Sequence, residues 1–204
     1  MNKTCLLVLM FLTASSGALN AASTLTVTVN TSLIDGTDGS LDFQFNPGPL
    51  VTQPATVQIL GFSGGSYGGS DQLNGAVTGG PLPSPVTINN TDALNEYFQA
   101  FNFGPSLRFT LSFNGPAIDA PDGKSTSGSV FSFSMFSDRA GTVPVLTSDP
   151  NGVAATVAVG LDGSLTAATL SPAVSVTPEP TSVALCAAAM GLLALLTSLR
   201  RRLN

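Results

Sequence analysis

The chain has 204 residues, room for one domain of ordinary size plus processing segments. Only 9% of the residues are charged and none is histidine, which excludes Ser-His-Asp and Cys-His triads, histidine-bearing zinc sites and imidazole acid–base chemistry. Residues 23–180 hold three basic residues, Arg108, Lys124 and Arg139, against all twelve acidic ones, a net charge of −9 that offers no footprint for nucleic acid.

The first segment, "MNKTCLLVLMFLTASSGALNAAS", reads as a secretory signal peptide over residues 1–22. Lys3 is its positive start, Cys5 to Leu12 its apolar stretch, and Ala14 to Ser23 the small-residue region a signal peptidase needs. Cleavage is expected between Ala18 and Ser23. The only two cysteines, Cys5 and Cys186, lie in the terminal apolar segments. The body between them therefore has no disulfide and no thiol for catalysis or metal.

Residues 23–170 are expected to form an all-β body. Leu25, Val27 and Val29 alternate with threonines; Leu41, Phe43 and Phe45 with Asp42 and Gln44; Val57 and Ile59 with Thr56 and Gln58. Leu107, Phe109, Leu111 and Phe113 alternate with Arg108, Thr110 and Ser112, and Phe131, Phe133 and Met135 with serines. Val157, Val159 and Leu161 continue the pattern. A period of two means one buried face and one wet face, the antiparallel case. Turn chemistry fills the gaps, in "DGTDGS", "FNPGP", "TGGPLPSP", "APDGKSTSG" and "SDPNG". Many short strands with such turns predict an antiparallel β-sandwich or jelly-roll-like domain. The helical spacing of Leu94, Tyr97, Phe98 and Phe101 competes with a strand from about Asn95 to Phe103, and the strand is preferred. Gly64 to Gly80 is expected to be a flexible loop. "LDFQFNPGP" and "LRFTLSFNGP" are expected to end in the same kind of turn.

Residues 171–180 are expected to be a linker. They end in Pro178-Glu179-Pro180, followed by the uncharged run Thr181–Leu199 and then by Arg200-Arg201-Arg202 in a basic tail, residues 200–204. As a helix, the 19-residue run spans roughly 28 Å, close to the hydrocarbon thickness of a bilayer. The prolines stop it from extending backwards. The Arg triplet belongs on the cytoplasmic side, which leaves the body outside.

This order of parts resembles the PEP-CTERM sorting signal, over about 27 residues from Thr177 onward. The resemblance implies an exosortase substrate, exosortase being a membrane-embedded processing enzyme with a cysteine nucleophile. It also implies a Gram-negative host that makes exopolysaccharide. Pro178, Glu179 and Pro180 would be the recognition element, presented at the outer face of the inner membrane, with Arg200, Arg201 and Arg202 as the anchor. The body resembles one subgroup of such proteins through "LDFQFNPGP" and "LRFTLSFNGP", a likeness that implies no activity.

Other motifs read as structure. "GFSGG" at Gly61–Gly65 and "GGSYG" at Gly64–Gly68 match the serine elbow, which needs a histidine partner. "GKST" at Gly123–Thr126 lacks the earlier glycine of a phosphate loop, since Ile118 stands there. Asp35, Asp38 and Asp42 are candidate Ca²⁺ ligands without EF-hand spacing; Asp119 and Asp122 are a neighbouring carboxylate pair. Three of the five, Asp35, Asp38 and Asp122, sit beside Gly or Pro, where Asp serves turns. Tyr67 is the aromatic expected to be exposed for sugar stacking. The expected function is a non-enzymatic exported domain at the cell surface or in the polysaccharide matrix, with no cofactor. The alternatives are a carbohydrate- or Ca²⁺-binding module and a carboxylate-based glycoside hydrolase.

Overall fold

The computed structural model describes residues 23–179. The expected signal peptide, membrane span and basic tail lie outside the described residues, among which no helix is long and apolar enough to cross a membrane. The described residues form twelve strands: β1 (Thr24–Asn30), β2 (Asp38–Pro47), β3 (Thr56–Ser63), β4 (Ser66–Asn74), β5 (Val77–Gly79), β6 (Val86–Asn89), β7 (Glu96–Asn102), β8 (Ser106–Asn114), β9 (Ser129–Phe136), β10 (Val153–Val159), β11 (Leu165–Thr169) and β12 (Val174–Pro178). A 3-10 turn, Ser32–Ile34, follows β1, and one helical turn, α1 (Pro116–Asp119), follows β8.

The strands build two six-stranded antiparallel sheets, in the orders β12-β1-β8-β3-β6-β5 and β11-β10-β9-β2-β7-β4. The pairings are nested: β1 with β8, β2 with β7, β3 with β6. The predicted alternation explains which faces meet. In β8, Leu107, Phe109, Leu111 and Phe113 are buried, while Arg108, Thr110 and Ser112 face outward. In β2, Leu41, Phe43 and Phe45 are fully buried. These two phenylalanine-rich strands lie in different sheets and face each other across the core. Phe43 meets Phe109 edge to face at 5.5 Å between ring centroids, and Phe45 meets Phe113 at 5.9 Å. Phe133 of β9 stacks on Phe43 at 5.1 Å. Edge and offset contacts of this kind stabilise beyond their buried area.

The strand preferred over a helix near Tyr97 is β7. Four expectations give way. The two phenylalanine strands end differently: Pro47 stays paired with Ser129, whereas Gly115, at φ +102°, turns the chain directly into α1. The expected loop, residues 64–80, contains β4 and β5. No residue of β4 is buried, so it carries no apolar alternation to read; backbone pairing with β7 holds it. Leu161 does not continue the buried face of β10, which ends at Val159; Leu161 is exposed in the following turn.

The stretch expected as a linker contains β12. Val174 is buried and Val176 packs against the core, enough to seat five residues on the edge of β1. Pro178 is the last residue of an edge strand, where a missing N–H costs least.

Candidate functional site

The start of the expected recognition tripeptide is part of the sheet. Pro178 lies opposite Leu25. The Glu179 N–H donates to the Thr24 carbonyl at 2.9 Å, and the Thr26 hydroxyl donates to Glu179 Oε1 at 2.5 Å. A hydroxyl bonded to a carboxylate makes a short, strong contact. The prolines favour an extended chain, and the chain is extended here, but its backbone is paired rather than free. Pro180 and Arg200, Arg201 and Arg202 lie outside the described residues.

The three aspartates considered for Ca²⁺ do not converge. Asp35 follows the 3-10 turn and is exposed. Asp38 accepts from Asn102 at 3.2 Å and from Arg139 at 3.0 Å, and the Asn102 hydrogen bond, followed by the Arg139 hydrogen bond and charge, holds its carboxyl below the usual range. Asp42 stands four residues further along β2, about 13 Å away at the rise of a strand. Among the described residues, no group of three or more His, Cys, Asp or Glu is gathered to hold a metal ion.

Asp122, between Pro121 and Gly123, serves a turn as its neighbours suggested, and Asp119, Asp138 and Asp162 are employed in the same way. Asp122 Oδ1 accepts from the Lys124 and Ser125 N–H groups at 2.8 and 2.9 Å. Asp119 accepts from the Gly115 N–H at 3.0 Å. Asp138 accepts from the Thr142 and Val143 N–H groups, and Asp162 from Ser164. Hydrogen bonds to the charged form hold Asp122, Asp138 and Asp162 below the ordinary carboxylate range.

Asp42 is different, and sequence reasoning missed its partner. Cross-strand register places Glu96 of β7 directly opposite Gln44 of β2. The Gln44 amide donates to Asp42 Oδ2 at 2.8 Å and to Glu96 Oε1 at 3.3 Å, which puts those two oxygens no more than about 6 Å apart. Asp42 is only 8% exposed, and its Oδ1 has no hydrogen-bond partner. Burial pushes the Asp42 carboxyl up to about 7; the Gln44 hydrogen bond opposes this and the Glu96 charge adds to it. Two carboxylates at such a spacing suit glycosidic chemistry. A general acid must also reach the bond it protonates. The orphan oxygen of Asp42 is sealed from solvent, whereas Glu96 is half-buried, so the two carboxyl groups differ in access.

Tyr67 is exposed, as expected, and donates to Asp71 at 2.9 Å. It stands at a cavity of about 130 Å³ whose walls include Phe62, Phe101, Leu82, Ser63 and Ser66. Ser63 donates to the Arg108 carbonyl at 3.4 Å, so the serine of the apparent elbow serves the β3–β8 contact. A wider depression of about 690 Å³ lies between Leu33, Leu146 and Pro172.

Compared with known protein families, with curated proteins and with solved structures, the chain finds no match.

Proposed function

We propose that this chain is an exported, non-enzymatic β-domain, delivered to the cell surface or the extracellular polysaccharide matrix by a C-terminal sorting signal. The observation that carries the reading is the ordered constellation Pro178-Glu179-Pro180, the uncharged run Thr181–Leu199 and Arg200-Arg201-Arg202, beside an N-terminal signal peptide. The precursor spans the inner membrane of a Gram-negative cell with the Arg triplet inside. An exosortase then processes it at or near the tripeptide. The nested strand pairings support a jelly-roll-like body. The employment of the turn aspartates, and the sealing of Asp42, support a body without catalysis.

The test is an immunoblot of membrane and medium fractions. Changing Pro178, Glu179 and Pro180 to alanine leaves insertion intact and accumulates a larger, membrane-bound form. Neutralising Arg200, Arg201 and Arg202 instead harms retention and orientation before processing. Equal mobility of the wild type and the triple alanine variant in both fractions would sink the sorting assignment.

A second reading, a carbohydrate-binding module, is favoured by one observation: Tyr67 is exposed beside a small cavity with aromatic and hydroxyl walls. The chain has no Trp, and its other tyrosine, Tyr97, is buried out of reach of an added sugar, so a ligand-dependent change of tyrosine emission reports on Tyr67 over a constant contribution from Tyr97. Saturable change of that emission with a neutral sugar, lost in Tyr67→Ala, supports this reading. No change with the host's own polysaccharide removes it.

A further inference from the structure

The sheet register brings both ends of the described chain to one pole of the body. The Ser23 carbonyl accepts from the Phe113 N–H near the end of β8, and Glu179 is bonded to Thr24 at the start of β1. From β8 the chain passes into α1, where the Ala117 N–H donates to the Pro54 carbonyl at 3.0 Å. The β10–β11 turn joins them, since a Cβ on Gly163 would fall 2.8 Å from the Ile118 carbonyl oxygen. The 49–54 loop, α1 and the 160–164 turn therefore share the pole at which the chain enters and leaves the body. Here Leu50, Val51 and Leu161 stand 65%, 68% and 51% exposed. Leu161 lines one crevice together with Thr52 and Gln53, the residues that follow Val51.

Large apolar side chains exposed as a group mark an interaction surface, and the tether identifies the partner. Glu179 is fastened to β1 through both its backbone and its side chain, and the expected span begins at Thr181. Only Pro180 separates them, and one extended residue covers about 3.5 Å. The pole has no length of chain with which to stand away from a bilayer.

We propose that in the precursor this pole rests on the outer leaflet, with Leu50, Val51 and Leu161 among the lipid headgroups. The proposal rests on the reading of Thr181–Leu199 as a membrane span and adds to it the orientation of the body. The start of the recognition tripeptide is then already at the membrane plane, where a membrane-embedded enzyme works. The same pole carries Asp119, Asp122 and Asp162, with Lys124 as its one cation among the described residues. That balance fits a zwitterionic surface and opposes an anionic one.

The experiment uses residues 23–204, the chain as expected removal of the signal peptide leaves it, with Cys186 changed to alanine, which leaves no other thiol. Single cysteines are placed as Leu50→Cys, Val51→Cys or Leu161→Cys. Leu33→Cys serves as the distal control, 86% exposed and beyond the far end of β1. Each is labelled with an environment-sensitive fluorophore and reconstituted into phosphatidylcholine vesicles containing spin-labelled lipid. Positions 50, 51 and 161 are expected to be quenched at least twofold more than position 33. A twenty-residue Gly-Ser insert between Glu179 and Pro180, and separately one third phosphatidylglycerol at low salt, are each expected to shrink that difference. Equal quenching at all four positions, in vesicles from which alkaline carbonate fails to extract the protein, overturns the docking and leaves the span intact. Extraction by carbonate overturns the span, and the docking falls with it.

Discussion

Four side chains of β8 are at most 1% exposed, whereas none of the nine residues of β4 is buried. Both strands pair in register with a neighbour, yet different forces hold them. β8 and its facing strand β2 are fixed by phenylalanine packing between the sheets. β4 is fixed by its backbone ladder to β7, and β12 combines a ladder to β1 with two modest valine contacts. A large-to-small substitution therefore damages the first class. The second class is vulnerable to a side chain that intrudes on the backbone, or to loss of one hydrogen bond.

The largest effect is expected at the centre of the first class. Phe43 touches the rings of Phe109, Phe131, Phe133 and Tyr97. Phe43→Ala should cost about 3–5 kcal/mol in denaturant unfolding of the body. A loss below about 1 kcal/mol would mean the two sheets do not meet as described.

Next comes Asp42, a polar residue sealed on the outer side of β2. Its folded-state pKa lies above its unfolded value, so the folded state holds the proton more tightly. The contribution of Asp42 to stability is then fully present below about pH 4 and is lost as the pH rises through about 7. Asp38, Asp122, Asp138 and Asp162 are shifted the other way and lose their contributions only at lower pH, so pH 5–8 isolates Asp42. Asp42→Asn should flatten unfolding stability across that window, by roughly 2–4 kcal/mol relative to wild type. An unchanged slope would place the titrating group elsewhere.

The second class is probed by Gly68, where an added Cβ would fall 2.6 Å from the Ala100 carbonyl carbon. Gly68→Val should loosen β4 by about 1–3 kcal/mol. Amide exchange should quicken along β4 and hardly change in β8. The smallest effect is expected from Thr26→Val, which removes the hydroxyl bonded to Glu179. It should cost about 0.5–1.5 kcal/mol, seen as faster exchange of the Glu179 amide and faster processing of the precursor. Unaltered exchange there would show that the hydroxyl does not hold the end of β12.

The same division explains what could be read before the fold was known. Strands such as β2, β8 and β9 were legible because burial of one face writes an alternation of Phe and Leu with polar residues. Nothing comparable marks β4, whose "SYGGSDQLN" buries no side chain and reads as loop. The β12 segment was hidden by prolines that usually signal a linker. Glu96 was invisible as a partner of Asp42 because it lies 52 residues from Gln44 and meets it only through strand register. On a wet face, a polar residue that will be covered looks like one that will not. The turn role of Asp122 was legible, since the hydrogen bonds that employ it are local.

The most direct test of the sorting account is the intact mass of the body recovered from the cell surface or medium, in hosts with and without an exosortase. With the enzyme present, the mass should correspond to a chain that begins between Ala18 and Ser23 and ends at or near Pro178-Glu179-Pro180. Without the enzyme, the membrane fraction should hold a chain that continues to Asn204. A mass that includes Thr181–Asn204 in both hosts would contradict the account and leave the segment an ordinary anchor.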